Sequence, residues 1–342
     1  MKIIPPAIML IMIVALVSCF EEDQPVPPYV PPGDVESVSV QNSIYTHQSY
    51  FDFSSGSIVA VNENSDWVLA FECLDSGFHI RVNSSDLWGL AHTGSTEISM
   101  DFTGLATHPW LFDKSDGNPD STAAGEWVTF PEGEPVYSNE VMLLGQYDGI
   151  AYKAKKKVQF IAVDKGSYTF LVCDPGLSGP DTVEILKNDG FNYVQYSLDN
   201  NEMTLLEPLK SDWDLLFTQY FTILYTDNGI PTPYYVRGVW LNPNRVESAL
   251  DTITPFFEVN ASTALGYEFS ALQDAIGHDW KSVEVDEATN SAEYRVRPGY
   301  TYVVRDTGGE LYKIRFRSYF NPSGEKGFPS FEYEPLDSTP EK

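Results

Sequence analysis

Asp66-Trp67-Val68-Leu69-Ala70-Phe71 is met a second time, slightly altered, as Asp212-Trp213-Asp214-Leu215-Leu216-Phe217. Each run follows a related segment at nearly the same distance, Phe51-Asp52-Phe53-Ser54 in the first case and Tyr196-Ser197-Leu198-Asp199 in the second. Three more blocks repeat in the same order. Ala123-Ala124-Gly125-Glu126-Trp127 matches Ala275-Ile276-Gly277-His278-Asp279-Trp280, and the alternating run Val158 to Phe170 matches Tyr302 to Phe316. Asp189-Gly190-Phe191 through Tyr196 matches Lys326-Gly327-Phe328 through Tyr333. Self-similarity of this order marks an internal duplication.

Gly190 to Leu198 resembles both the end of one unit and the start of the next. One strand is therefore expected to close the first half and open the second, giving a rigid pair without a linker. The expected units are residues 41–194 and 195–336, with a tail at 337–342. Interfaces between packed domains are a usual place for ligand pockets.

Strand signals dominate. Ser57 to Val61, Trp67 to Cys73, Phe78 to Asn83, Val141 to Gly145, Val158 to Val163 and Tyr168 to Cys173 alternate or are rich in β-branched and aromatic residues. So are Trp213 to Tyr220, Tyr234 to Leu241, Tyr300 to Arg305 and Leu311 to Phe316. Asp164-Lys165-Gly166 and Thr307-Gly308-Gly309 predict tight hairpin turns. Helical periodicity is confined to Ser270 to Ile276, where one or two turns are expected. The fold class is all-β, as two tandem antiparallel β-sandwich units packed together.

The first 18 residues are of another kind. Lys2 precedes an apolar run from Ile3 to Val17 that stops at Ser18-Cys19. The run is too short for a spanning helix and has the form of a secretory signal. A small residue before cysteine is the bacterial lipobox pattern, which makes Cys19 the acylated first residue of the mature chain. Residues 19–40 then form an acidic, proline-rich tether, with Pro25, Pro27, Pro28, Pro31 and Pro32 keeping it extended. No Asp follows Cys19, so retention in the inner membrane is not signalled. Glu21-Glu22-Asp23 resembles the surface-export signal of some Gram-negative lipoproteins, and an outer-membrane, cell-surface location is expected.

The formal net charge is -28, and losing Lys2 with the signal makes it -29. Such a balance excludes nucleic acid and a basic membrane-binding face. With 42% apolar and 14% aromatic residues, the chain has ample material for a core. Cys73 and Cys173 lie in apolar strand-like runs, where a disulfide and a pair of buried thiols are equally compatible. There is no nucleophile elbow, zinc-protease helix, P-loop or dinucleotide fingerprint, so the chain is read as a binding protein and not an enzyme.

The pattern resembles the HmuY-like family of haem-binding lipoproteins. The likeness is carried by Tyr50-Phe51-Asp52-Phe53-Ser54-Ser55-Gly56-Ser57-Ile58-Val59, then Asp66 to Phe71, Ile80-Arg81-Val82-Asn83 and Ala91-His92-Thr93-Gly94. It continues in Tyr300-Thr301-Tyr302-Val303-Val304-Arg305-Asp306, Tyr312-Lys313-Ile314-Arg315-Phe316 and Gly324-Glu325-Lys326-Gly327-Phe328-Pro329-Ser330-Phe331-Glu332-Tyr333. The resemblance implies an all-β fold, a lipid anchor, and haem or a related porphyrin captured outside the cell for a TonB-dependent transporter in the outer membrane. It also implies a pair of iron-binding histidines, and here this sequence departs from the family. The segments before Tyr152-Lys153 and Tyr294-Arg295 contain neither His nor Met.

Haem iron accepts His, Met, Cys or Tyr in an apolar site open to a flat ring. Of the five histidines, His92 and His108 are the loop candidates with apolar neighbours. His79 lies in an alternating strand, His278 in a turn, and His47 beside the tether. No metal cluster is expected: Asp113, Asp116, Asn118 and Asp120 lack the spacing of a calcium loop, and Pro119 interrupts them. Trp67 and Trp213, at equivalent repeat positions, are assigned to core packing; Trp88, Trp110 and Trp240 are freer to line a pocket or a sugar-binding surface, with the core again the expected place. A second reading keeps the fold without haem, as a surface lipoprotein that binds a glycan, a peptide or a protein.

Overall fold

A computed structural model describes residues 35–103, 109–226, 228–286 and 291–336. The expected signal segment, the expected lipid-anchor residue Cys19, the expected tether up to residue 34, the tail and His108 lie outside them, while residues 36–39, read from the sequence as the end of the tether, form the first strand. The chain is all-β. Its strands begin with β1 (Glu36–Ser39), β2 (His47–Asp52), β3 (Ser57–Glu63), β4 (Leu69–Glu72), β5 (Ile80–Val82), β6 (Trp88–His92), β7 (Val128–Thr129) and β8 (Val136–Tyr137). There follow β9 (Val141–Tyr147), β10 (Tyr152–Val163), β11 (Ser167–Cys173), β12 (Asp181–Leu186), β13 (Tyr193–Ser197), β14 (Glu202–Thr204) and β15 (Leu215–Tyr225). The last are β16 (Pro231–Leu241), β17 (Glu247–Asp251), β18 (Lys281–Asp286), β19 (Ser291–Val296), β20 (Thr301–Arg305), β21 (Leu311–Phe320) and β22 (Lys326–Pro335).

Four antiparallel sheets make two sandwiches. In lobe 1, the sheet β12-β11-β10-β9-β6 faces the sheet β14-β13-β4-β5. Between them lies a core that includes Leu69, Phe71, Ile80, Trp127, Phe160, Phe170 and Tyr196. In lobe 2, the sheet β1-β22-β21-β20-β17 faces β16-β15-β2-β3 around Phe51, Phe53, Phe217, Trp280, Phe316 and Phe331. Each fully buried large side chain is worth about 1.5–3 kcal/mol.

The opening hairpin of each repeat completes the sandwich of the other. β2 pairs with β15, Phe51 opposite Leu215, and the two large rings of that segment enter the core of lobe 2. β13 pairs with β4, Tyr196 opposite Leu69, and Val194 and Tyr196 enter the core of lobe 1. The two cores therefore do not divide at position 195. Lobe 1 draws β14 and most of β13 from beyond it, and lobe 2 draws β1 to β3 from before it.

The strand equivalence also differs from the third and fourth sequence matches. Lys157 sits opposite Leu143, which sits opposite Ala91. In lobe 2 the same row is Lys313, Val303 and Ala249. Each lysine is buried and donates to backbone carbonyls, Lys157 to Met100 and Gly176 at 2.8 Å and Lys313 to Val259 at 3.0 Å. β10 therefore corresponds to β21, one strand away from the match of Val158–Phe170 with Tyr302–Phe316. β13 corresponds to β2, not to β22. Antiparallel neighbours share one alternating period, so sequence similarity between them slips easily by a whole strand. The block around Trp127 and Trp280 does hold: both rings are core, and Gly125 and Gly277 share a left-handed φ of 57°.

The expected helical turns at Ser270 to Ile276 are absent. That segment forms isolated bridges instead, Ser270 to Ser248 and Gly277 to Val239, because it lies along strand edges whose free groups take its backbone bonds. Among the described residues the α-helix is Ala261–Ala264, capped by the Asn260 side chain. Both predicted hairpin turns form. Asp164 Oδ1 accepts from the Gly166 and Ser167 amides at 2.7 and 2.8 Å, and Asp306 Oδ1 accepts from the Glu310 amide at 2.8 Å. No helix among the described residues is long and apolar enough to cross a membrane.

Candidate functional site

An open groove of about 630 Å³ lies at the end of lobe 2, beside the β21–β22 turn. It is lined by Ser43, Tyr45, Phe320, Glu325, Lys326 and Phe328. Two backbone bonds, Ile44 N–H to Gly327 O and Val40 N–H to Pro329 O, both 2.9 Å, lay the segment after β1 against β22. Gly327 is what lets the Tyr45 ring lie on that strand. Its φ is +94°, and a Cβ there would come within 2.4 Å of the ring.

Around Tyr45 the surface is aromatic and cationic. The Arg237 guanidinium lies 4.3 Å from the ring centre on Tyr45, and the Lys326 ammonium 5.6 Å from it. Lys326 is also 5.4 Å from Tyr294, whose ring packs at 4.9 Å on Tyr319. A second groove, about 400 Å³, adjoins through Phe320 and includes Tyr294 and Tyr319. Burial raises the Tyr45 phenol above its ordinary range, so the residue offers a ring face and not a phenolate. Flat faces with an exposed ammonium at the rim suit a planar apolar ligand that carries acidic groups on its edge.

The described histidines stand elsewhere. His92 Nε2 lies 3.0 Å from the Ala123 carbonyl oxygen, and Nδ1 2.8 Å from Glu140 Oε2. A carbonyl can only accept, so Nε2 carries a proton, and Nδ1 is turned to the carboxylate. As placed, the ring has no lone pair directed to an open space. His79 Nδ1 is 2.6 Å from Glu72 Oε2, His47 Nδ1 is 2.8 Å from Thr46 Oγ1, and burial lowers the pKa of His278. Among the described residues no three His, Cys, Asp or Glu side chains gather as a metal site.

Other sequence candidates are structural. Asp113 accepts from the Val82 and Ala123 amides at 2.9 and 2.7 Å, and Asp116 accepts from the Asn118 amide, which makes the acidic loop a set of turns. Cys73 and Cys173 are buried free thiols, and burial pushes Cys73 up to about 11. Trp88 is core, and Trp110 stacks on Tyr152 at 5.0 Å.

A third concavity, about 50 Å³ and partly open, lies between the lobes. Alternation creates it. Leu69, Phe71, Ile80, Val194, Leu215 and Phe217 point into the two cores, so Ala70, Arg81, Gln195 and Leu216 face the seam. The equivalent tryptophans Trp67 and Trp213 both line it, joined by Trp240. Trp67 donates to Gln48 Oε1 at 3.0 Å, whereas Trp213 Nε1, Trp240 Nε1 and Arg81 Nε are buried donors without a protein partner. Each such donor left unmet costs roughly 1–3 kcal/mol. Burial pushes the carboxyl of Glu207, at the same wall, up to about 8.

Sequence reasoning weighed histidines and passed over Tyr45 and Phe328. The available signal was Lys326-Gly327-Phe328, a glycine within a strand run, which marks close approach by another group.

A family model described as HmuY protein matches residues 44–333. No curated protein matches the chain. Among solved structures, the apo form of PinO from Porphyromonas gingivitis aligns with 90% of this chain and 100% of its own, at 11% identity and a TM-score of 0.29. An apo HmuY analog from Tannerella forsythia aligns with 89% of this chain and 96% of its own, at 12% identity and a TM-score of 0.24. A Bacteroides vulgatus protein described as HmuY-like and haem-binding aligns with 52% of this chain and 90% of its own, at 20% identity and a TM-score of 0.20. The family match over most of the chain, not these distant superpositions, carries the assignment.

Proposed function

The chain belongs to the HmuY family, and on that premise we propose that it is a lipid-anchored surface protein that captures haem or a related porphyrin. The ring lies in the open groove of lobe 2, against Tyr45, Phe320 and Phe328, and Lys326 meets its acidic edge. The observation that carries this is size joined to surface: the groove offers about 630 Å³ and aromatic faces, the seam cavity about 50 Å³. Pockets for ligands of drug size span about 300–1,000 Å³. Capture rests on stacking and charge, with delivery to an outer-membrane transporter as the use of the bound ring.

Haemin titration of the purified protein tests it. A saturable change in the porphyrin absorption band is expected, and Tyr45→Ala together with Phe320→Ala should weaken it by about tenfold or more. His92→Ala and His108→Ala should leave it unchanged. Loss of binding in His108→Ala alone would instead place the contact at residue 108. No spectral change with the fold intact would remove haem, and a glycan or peptide ligand would be the reading left.

A further inference from the structure

Each of the four large sheets ends in two edge strands, whose outer N–H and C=O groups could take up a further strand. All but one of these edges are blunted. β6 and β17 are covered by isolated bridges, Leu90 to Leu111 and Ser248 to Ser270. β3 carries a bulge opposite Tyr50 and Phe51. β1, β5 and β14 are only four, three and three residues long. β16 is covered at one end, where the Val239 and Leu241 amides donate outward to the Gly277 and Gln273 carbonyls. Farther along, Pro231 and Pro233 stand at the same outward phase and have no N–H to offer.

The exception is β12, an edge of the five-stranded sheet of lobe 1. It runs six residues in unbroken register with β11. The Lys187 amide donates to the Gly166 carbonyl at 2.8 Å, which fixes the phase. Residues 181, 183 and 185 bond to β11, so Thr182, Glu184 and Leu186 turn their N–H and C=O groups outward. All three residues are exposed, and among the described residues nothing bonds to those groups.

Beside this edge the lobe 1 sandwich is open at its mouth. A groove of about 410 Å³ lies there, with Leu186, Val194, Met203 and Leu205 in its wall. Leu186 is 53% exposed, Met203 41% and Leu205 46%. The fold does not require this. Met203 lies opposite Tyr196 as Ile58 lies opposite Phe51 in lobe 2, and Ile58 packs on its core. A strand added to β12 would lay every second side chain over Met203 and Leu205.

Charge selects the strand. β12 carries Asp181 and Glu184, and the groove adds Asp75 and Asp189 against Lys165 and Lys187. Lys187 is itself taken up by the Leu74 and Gly77 carbonyls at 3.1 and 2.6 Å. A second copy of β12, from a chain of net charge -28, would set these acids against themselves. Lysine or arginine on the outer face of the added strand would meet them.

We propose that the β12 edge of lobe 1 takes up an extended segment of a partner protein, with aliphatic and basic residues in alternation, as an added strand over the groove.

Fluorescence anisotropy on the purified protein, with a labelled peptide of alternating valine and lysine, reads this. Saturable binding is expected, and it should be weaker by about tenfold or more for a peptide of alternating valine and glutamate. Thr182→Pro deletes one outward amide and no internal bond. Binding should fall about tenfold while the circular dichroism spectrum is unchanged. Should Thr182→Pro fail to fold, Glu184→Lys, at an exposed position, carries the comparison and should erase the preference between the peptides. Amide exchange locates the contact, since the lysine peptide should slow the Thr182, Glu184 and Leu186 amides. Equal binding of the two peptides, unchanged affinity in folded Thr182→Pro, or no saturable binding would overturn the proposal. So would self-association abolished by Thr182→Pro, which would assign the edge to a second copy.

Discussion

The two exchanged hairpins occupy equivalent places and are held by different chemistry. β2 enters lobe 2 through rings: Phe51 meets Phe331 edge-on at 5.1 Å, and Phe53 stacks on Tyr312 at 4.6 Å. β13 enters lobe 1 with less, Val194 and a Tyr196 ring edge-on to Phe170 at 5.2 Å. Its neighbourhood is secured instead by buried polar groups, with Glu207 accepting two amides and Asn192 donating to Asn242 Oδ1 at 3.0 Å. One topology can thus be closed by apolar area or by satisfied hydrogen bonds, and the second kind brings pH dependence with it.

Cutting the chain near residue 195 is the severest way to break the comparison. Residues 41–194 alone lack β14 and most of β13, and residues 195–336 alone lack β1 to β3, so each leaves a four-stranded sheet half built. Neither piece should show cooperative unfolding by circular dichroism, whereas the two mixed should regain it. A cooperative transition in either piece alone would refute the exchange.

Within the intact chain, Phe51→Ala should cost about 3–5 kcal/mol in urea unfolding, the usual price of a deleted core ring. Val194→Ala should cost about half as much, since fewer buried methylenes are lost. Equal losses would erase the distinction between the two hairpins.

Glu207 sharpens it further. The folded state keeps its proton up to about 8, while the unfolded chain releases it in the ordinary carboxyl range. Unfolding is therefore favoured progressively as pH rises through that window, by a few kcal/mol in all, and no further above it. Glu207→Gln keeps an oxygen for the Asn192 and Tyr193 amides and removes the ionisation. Its midpoint should equal that of the wild type near the lower end and exceed it at the upper end. A variant with an unchanged pH profile would show that Glu207 ionises freely. The smallest effect belongs to Trp67→Phe, which loses one hydrogen bond to Gln48, about 1 kcal/mol by chemical denaturation.

What the sequence made readable was local. Alternation in Val141 to Gly145 or Leu311 to Phe316 has one physical meaning, and both segments are strands. The Gly125 and Gly277 turns could be matched because each places a tryptophan in a core. The partner of β2 could not be read, because Phe51 and Leu215 are brought together by two sandwiches closing at once and not by any turn. The same applies to the groove, where Tyr45 and Phe328 come from opposite ends of the chain. Trp67 and Trp213 were read as core packing; Trp213 is indeed buried in a cluster with Tyr50 and Leu216, while both rings also line the seam, since each precedes the strand whose alternate residues fill the core.

The first strand lies beside the last, Glu36 opposite Tyr333 and Ser39 opposite Ser330. The path of the backbone therefore closes on itself like a belt, with residues 35 and 336 at neighbouring edges. Joined there and reopened at an exposed turn such as Asp148 to Ala151, the same strands could take up the same neighbours in a permuted order.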